Sequence, residues 1–154
     1  MDKKDVIISV IGQHHMDDDT DQTELMTQGD FYKKGAHYYA VYKETMMTGM
    51  QGTTTTLKIG THKLSLMRFG TTNTQMIFEK GQRHSCHYDT AHGMFTMDIF
   101  AHQVDIAVDE NGGEIKVSYD MALDNIAMGR NDFVVKITRV NESTQWALPT
   151  PAPF

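Results

Sequence analysis

From Ile115 to Leu123 an apolar or aromatic side chain stands at every second position: Ile115, Val117, Tyr119, Met121 and Leu123, with Lys116, Ser118, Asp120 and Ala122 between them. A repeat of two is the pitch of a pleated strand that turns one face to a core and the other to water, and a helix cannot bury such a pattern on one side. The run follows "DENGG" (Asp109 to Gly113), whose Asn-Gly pair tolerates the positive φ angles of a tight reversal. Before that reversal Val104, Ile106 and Val108 alternate with Gln103, Asp105 and Ala107. Two alternating runs joined by Asn-Gly predict a β-hairpin.

The same pattern recurs upstream and downstream. "DVIISVIGQ" (Asp5 to Gln13) is β-branched and apolar on both faces, "HHMDDDTDQ" (His14 to Gln22) reads as an acidic, polar connection, and Thr23 to Lys34 returns toward a Lys-Gly turn. Strand-like segments follow at His37 to Glu44, Gly52 to Gly60, Lys63 to Gly70, Thr72 to Glu79, Arg83 to Asp89, Met94 to Ala101 and Asp132 to Val140. No segment keeps a helical period; short helical turns fit only "TAHG" (Thr90 to Gly93) and "DNIAMG" (Asp124 to Gly129). Strands recurring about every 8 to 12 residues are the mark of an all-β sandwich or barrel. A meander of short strands must close to remove its edges, and short connections favour neighbours in sequence as neighbours in space. The expected fold is therefore all-β: one antiparallel, mainly up-and-down barrel of about eight to ten strands, wide enough to be filled by side chains or to hold one small ligand. The barrel should occupy residues 1–140, and residues 141–154, which hold all three prolines, form a tail whose Trp146 can anchor to a groove or link a homodimer.

Composition excludes several partners. A net charge of −6 is the wrong sign for a phosphate backbone, so nucleic acid is not expected. No apolar run reaches the roughly 20 residues of a membrane span or the length of a secretion signal. The single Cys forms no internal disulfide and suits a reducing compartment, which points to the cytoplasm. Twelve Met residues are many for this length and hint at an adaptable interior.

The order of "FYKKGAHYYAVYKET", "GTTTTLKI", "LSLMRFG", "QMIFEKG" and "YDTAHG" resembles the YwiB-like family, small bacterial proteins classed as a domain of unknown function. The matching positions are Gly35, Tyr39, Tyr42 and Glu44, then Thr53 to Thr56, then Leu66, Arg68 and Gly70, then Tyr88, Thr90 and Gly93. Ala91 and His92 depart from the Pro and aromatic residue common in the family's turn, and the Pro-containing tail is foreign to it. The resemblance implies a calycin-like, lipocalin-related β-barrel and no established activity. Calycin relatives often hold small apolar molecules inside the barrel, which is an analogy of fold rather than of site.

Among residues with chemistry, "GQRHSCHYDTAHG" (Gly81 to Gly93) holds three histidines and the only cysteine. On a strand, His84, Cys86 and Tyr88 share one face; Tyr88 matches the family's aromatic, so that face is the expected inner one. His84 and Cys86 supply two metal ligands of the three or four that zinc needs, and they stand too far apart for a thiolate–imidazole nucleophile. Arg68 shares a face with Leu64 and Leu66, so it points inward and needs a partner, with Glu44 the nearest suitable carboxylate in sequence. Thr55, Tyr39 and Tyr119 are further candidates for lining a cavity with polar tips. Asp17 to Asp21 lacks the Gly and distal Glu of a Ca²⁺ loop, and the chain has no phosphate loop, nucleophile elbow or zinc-protease motif, so no cofactor is expected. The reading is a non-enzymatic barrel that binds a small, partly apolar ligand through Arg68, Thr55, Tyr39, Tyr88 and Tyr119. Its alternatives are a fully packed interaction barrel and, third, an enzyme using His84 and Cys86.

Overall fold

Ten strands follow one another with almost nothing between them: β1 (Lys4–Met16), β2 (Asp19–Lys34), β3 (His37–Lys43), β4 (Thr54–Ile59), β5 (Lys63–Phe69), β6 (Asn73–Glu79), β7 (Arg83–Thr90), β8 (Gly93–Asp109), β9 (Gly112–Leu123) and β10 (Ile126–Arg139). The computed structural model describes residues 3–140; the tail 141–154 and Trp146 lie outside the described residues. Each strand pairs antiparallel with its neighbours in sequence, and β1 pairs with β10 from Val6↔Arg139 to His15↔Arg130, which closes the barrel. The up-and-down order expected from short connections is the observed one.

Alternation sets the interior. Val6, Ile8, Phe31, Leu57, Ile59, Leu64, Phe78, Ile99, Ile115, Val117, Val135 and Ile137 are fully or almost fully buried and form one core. Opposite parities put Glu24, Lys116, Asp120 and Lys136 on the exposed outer face. Tyr119 meets Phe78 and Phe133 edge-on in that core, with centroids 4.8 and 6.2 Å away. Such edge-to-face contacts suit the ring quadrupoles.

Several turns differ from the sequence expectation. The acidic stretch His14 to Gln22 is almost all strand: β1 runs to Met16, β2 starts at Asp19, and the reversal uses only Asp17 and Asp18, with Asp17 at φ 55°. Cross-strand pairing to Met16↔Asp19 overrides the polar composition there. The β8–β9 reversal centres on Glu110 and Asn111 rather than on Asn-Gly, and the positive φ falls on Gly112 at 108°. Asn111 N–H donates to Asp109 Oδ1 at 2.8 Å, which fixes the turn locally, and a Cβ on Gly112 would lie 2.2 Å from the Ile137 carbonyl oxygen. "DNIAMG" is no helical turn: Asp124 and Asn125 both take positive φ, and β10 begins at Ile126 with a bulge before Arg130. "TAHG" likewise reverses at Ala91 and His92. Met94 to Asp109 is one continuous strand interrupted by a bulge at His102, where sequence suggested two. Among the described residues the one helical turn is Met46–Thr48, inside the β3–β4 connection.

Two irregularities open the wall. β3 pairs with β2 only from Asp30 to Lys34, so the upper half of β2, Asp19 to Gly29, is bonded to β1 alone. Gly29 marks the point of divergence: a Cβ there would lie 2.5 Å from both the Val41 carbonyl oxygen and Ile8 Cδ1. Similarly, β6 pairs with β7 only through Asn73↔Asp89 and Thr74↔Tyr88.

Candidate functional site

Where β2 leaves β3, the barrel interior opens into a cavity of about 250 Å³, room for roughly eight waters at about 30 Å³ each. Val10, Leu25, Leu57, Leu66, Met76, Phe78, Tyr119, Phe133 and Val135 form its apolar walls. Its polar residues are Tyr42, Glu44, Arg68 and Asn131 inside, and Gln13, His14, Asp21 and Asp132 toward the mouth.

The polar cluster is built from three adjacent strand positions and Glu44. Tyr42 and Thr55 are cross-strand partners on β3 and β4, and Thr55 is in turn paired with Arg68 on β5, so three inward side chains sit in one row. Glu44 lies just past β3, where its N–H donates to the Thr53 carbonyl at 2.8 Å and holds its side chain over that row. Thr55 Oγ1 donates to Glu44 Oε2, and Arg68 Nε stands 3.7 Å from the same oxygen. Arg68 also reaches Met76 Sδ through Nη1 at 3.9 Å. Glu44 is 5% exposed, so its charge is taken out of water and rests on Arg68, Thr55 and Tyr42.

Burial raises the Tyr42 phenol far above the ordinary tyrosine range; the Glu44 charge adds to the rise, while Arg68 and Thr55 oppose it. Burial also pushes Tyr119 up to about 12 despite the pull of Arg68. Both rings therefore enter the cavity as neutral hydroxyls. Among the described residues, Glu44 Oε1, Arg68 Nε and Asn131 Nδ2 are buried without a hydrogen-bond partner, and all three belong to cavity-lining residues.

At the mouth, His15 Nε2 meets Asp132 Oδ2 at 3.0 Å and Arg130 Nη2 meets the same oxygen at 3.3 Å. Burial alone would raise the Asp132 carboxyl, but Ser118, Arg130 and His15 together hold it below its usual range. His14 Nε2 donates to the Met128 carbonyl, tying β1 across to β10 above the opening.

The residues singled out from sequence fall into three groups. Arg68 and Tyr119 line the cavity, and Thr55 supports it from beneath through Glu44. Tyr88 is half-buried on the inner face of β7 and packs on the core away from these walls. Tyr39 is on the outer face, stacked on Tyr32 with centroids 5.2 Å apart. The inner aromatics of β3 are Tyr38 and Tyr42, because the strand is apolar on both faces and its parity is set by Ala40 and Tyr42.

His84 and Cys86 share the inner side of β7, as read from sequence, but at the thinly paired β6–β7 seam rather than at the cavity. His84 Nε2 stands 3.2 Å from Glu79 Oε1, and Cys86 Sγ lies 3.8 Å from Thr74 Oγ1 with its thiol raised mainly by burial. Among the described residues no three His, Cys, Asp or Glu side chains converge on a metal position.

Sequence reasoning named Glu44 as a family position and a partner of Arg68, named Tyr42 only as a family position, and missed Asn131 and Gly29. Asn131 could have been found by stepping back in twos from Val135 and Phe133 past Asp132. Of the methionines, Met50 and Met76 line the cavity and Met97 lies in the core, whereas Met16, Met26, Met46 and Met94 are exposed, so the excess is shared between interior and surface.

Residues 8–135 match the family described as "Domain of unknown function (DUF1934)". No curated protein matches the chain. The crystal structure of the ywiB protein from Bacillus subtilis superposes with a TM-score of 0.80 at 19% identity, covering 90% of this chain and 94% of that one. At that identity the likeness is one of fold.

Proposed function

The chain belongs to the DUF1934 family, a domain of unknown function, and from its own cavity we propose that it is a non-enzymatic protein that binds a small, partly apolar molecule inside the barrel. The observation that carries this is the buried Glu44–Arg68 pair facing an open, mainly apolar cavity of about 250 Å³. A buried ion pair is a poor device for stability, because apolar residues of the same volume often serve as well or better. A few convergent polar groups in an apolar concavity are what ligand sites look like. Against catalysis stands the placement of Cys86, outside the cavity walls and with its thiol raised by burial.

Charged side chains over the outer face support an aqueous compartment, and the cytoplasm is the one we propose. Among the described residues no helix is long and apolar enough to cross a membrane.

Native mass spectrometry of the full chain, compared with its denatured mass, tests the reading. An excess mass released on denaturation is the expected result. A clean mass, together with no amide chemical-shift change at Leu66, Asn131 and Phe133 across a library of small amphiphiles, would sink it. The same spectrum reads the homodimer expected from Trp146.

One observation favours a second reading, interaction through the mouth end. Met16, Met46, Phe69, Met94 and Ile126 are all exposed and all flank turns at that end of the barrel. Exposed apolar residues gathered at one end mark a contact surface more often than scattered ones do.

A further inference from the structure

The unpartnered atoms define what the cavity can hold. Glu44 Oε1 is an acceptor, while Arg68 Nε and Asn131 Nδ2 are donors, and each is buried without a partner among the described residues. Since Oε1 and Oε2 belong to one carboxylate, the free acceptor stands beside the ion pair that Oε2 makes with Arg68 Nε at 3.7 Å. The pair is neutral as a unit. A carboxylate ligand drawn to Arg68 would meet the Glu44 charge, and an ammonium drawn to Glu44 would meet Arg68, so neither charge is favoured in a site this dry. A neutral group that both accepts and donates satisfies all three atoms, with bonds to Arg68 and Glu44 strengthened by their charges. The walls beyond it, Leu25, Leu57, Leu66, Phe133 and Val135, ask for a hydrocarbon body.

We propose that the ligand is an uncharged amphiphile whose head group donates one hydrogen bond to Glu44 and accepts from Arg68 and Asn131, as a carboxamide or an alcohol does, and whose apolar body fills the barrel. This rests on the cavity reading above and goes beyond it by assigning the ligand's chemical class and giving Asn131 a role in choosing it. An amide divides the work between its N–H and carbonyl oxygen. An alcohol makes all three bonds through one oxygen, so the two differ in how Asn131 contributes.

The test uses the full-length protein and five probes sharing a six-carbon chain: hexanamide, hexan-1-ol, hexanoate, hexylammonium and 1-chlorohexane. Each is titrated at pH 7 while amide resonances of Leu66, Asn131 and Phe133 are followed. The expected order places hexanamide or hexan-1-ol at least about tenfold tighter than either ion, because each ion leaves one member of the buried pair opposed and unpaired. The tighter of the two neutral probes identifies the head group. Asn131→Ala should weaken that probe by about tenfold, the cost of one lost donor in a desolvated site, and leave 1-chlorohexane unchanged. If hexanoate or hexylammonium binds as tightly as the neutral probes, or 1-chlorohexane matches them, the head-group assignment is wrong although the cavity binds. Failure of all five to shift any of the three resonances would overturn the cavity reading itself. An Asn131→Ala protein that keeps its dispersed spectrum and its full preference for the neutral head would remove Asn131 from the site.

Discussion

Arg68 balances the most buried charge described in the molecule, and its loss is not a loss of one contact but the exposure of Glu44 to an apolar interior with no countercharge. The Arg68→Met variant should unfold at a lower urea concentration, losing about 3 kcal/mol, the lower end of the range for breaking a buried pair because the Arg68 side chain is 19% exposed. Arg68→Met combined with Glu44→Leu should regain most of that loss; a double variant as unstable as the single one would show that the pair does more than neutralise itself. The tyrosines give a pH signature. Tyr119 keeps its proton in the fold until about pH 12, while an unfolded tyrosine ionises near 10.0. Between those values the unfolded chain has released a proton that the native state retains, so stability falls as pH rises, by up to about 1.4 kcal/mol per pH unit for each such tyrosine. Tyr42, also raised by burial, contributes in the same direction. Urea unfolding from pH 8 to 11.5 should stay level to about pH 10 and then decline; a flat profile would mean that neither ring is sealed from solvent. Arg68 was legible because Leu64 and Leu66 fixed its parity, whereas Tyr39 was not, since "YYAVY" is apolar or aromatic at every position and gives parity nothing to hold.

At the level of strands, Gly29 stands where the opening begins and lets β2 approach β3 closely there. A methyl at Gly29 would collide with the Val41 backbone and Ile8, so Gly29→Ala should cost about 2 kcal/mol, as overpacking a full site does. Thermal unfolding measures it, and a neutral result would show that β2 and β3 can slide apart without penalty. The β6–β7 seam should be the weak line of the barrel. Its two pairs, Asn73↔Asp89 and Thr74↔Tyr88, leave the facing edges from Gln75 forward and from His87 back to Arg83 without ladder bonds between them. Amide hydrogen exchange should be much faster for seam-facing amides of β6 and β7 than across β1–β10. Equal protection at both would contradict the splayed seam. Strand identity was readable wherever polar and apolar residues alternated, as in β9. The ends of strands were not, because Met16 and Asp19, like Leu123 and Ile126, hold each other in strand across two-residue reversals, and Arg130 is held by Asp120 beyond a bulge and by His15 on a strand far away in sequence, which polar composition does not record. The cavity escaped sequence for a similar reason: it exists because two strands part, and parting is a property of pairs.

For the molecule as a whole, closure removes most edges, and the edge left open beside the cavity is guarded. The free upper half of β2 carries exposed Asp19, Asp21 and Glu24, whose charge discourages a second chain from adding a strand there. Replacing all three with Thr should make the protein associate at low salt, visible as a larger species by light scattering; a monodisperse variant would show that geometry alone protects the edge. The strand order has a different consequence. β1 and β10 lie side by side, and Val140 N–H donates to the Asp5 carbonyl at 2.8 Å, so the two ends of the described chain meet. Every connection in the ring joins nearest neighbours, and the β1–β10 seam is a neighbour contact that simply lacks a linker. The barrel is thus a cycle cut at an arbitrary point. A circular permutant that joins residue 140 to residue 3 by a short linker and opens between Ala91 and His92 describes the same ring, with the same cavity, starting somewhere else.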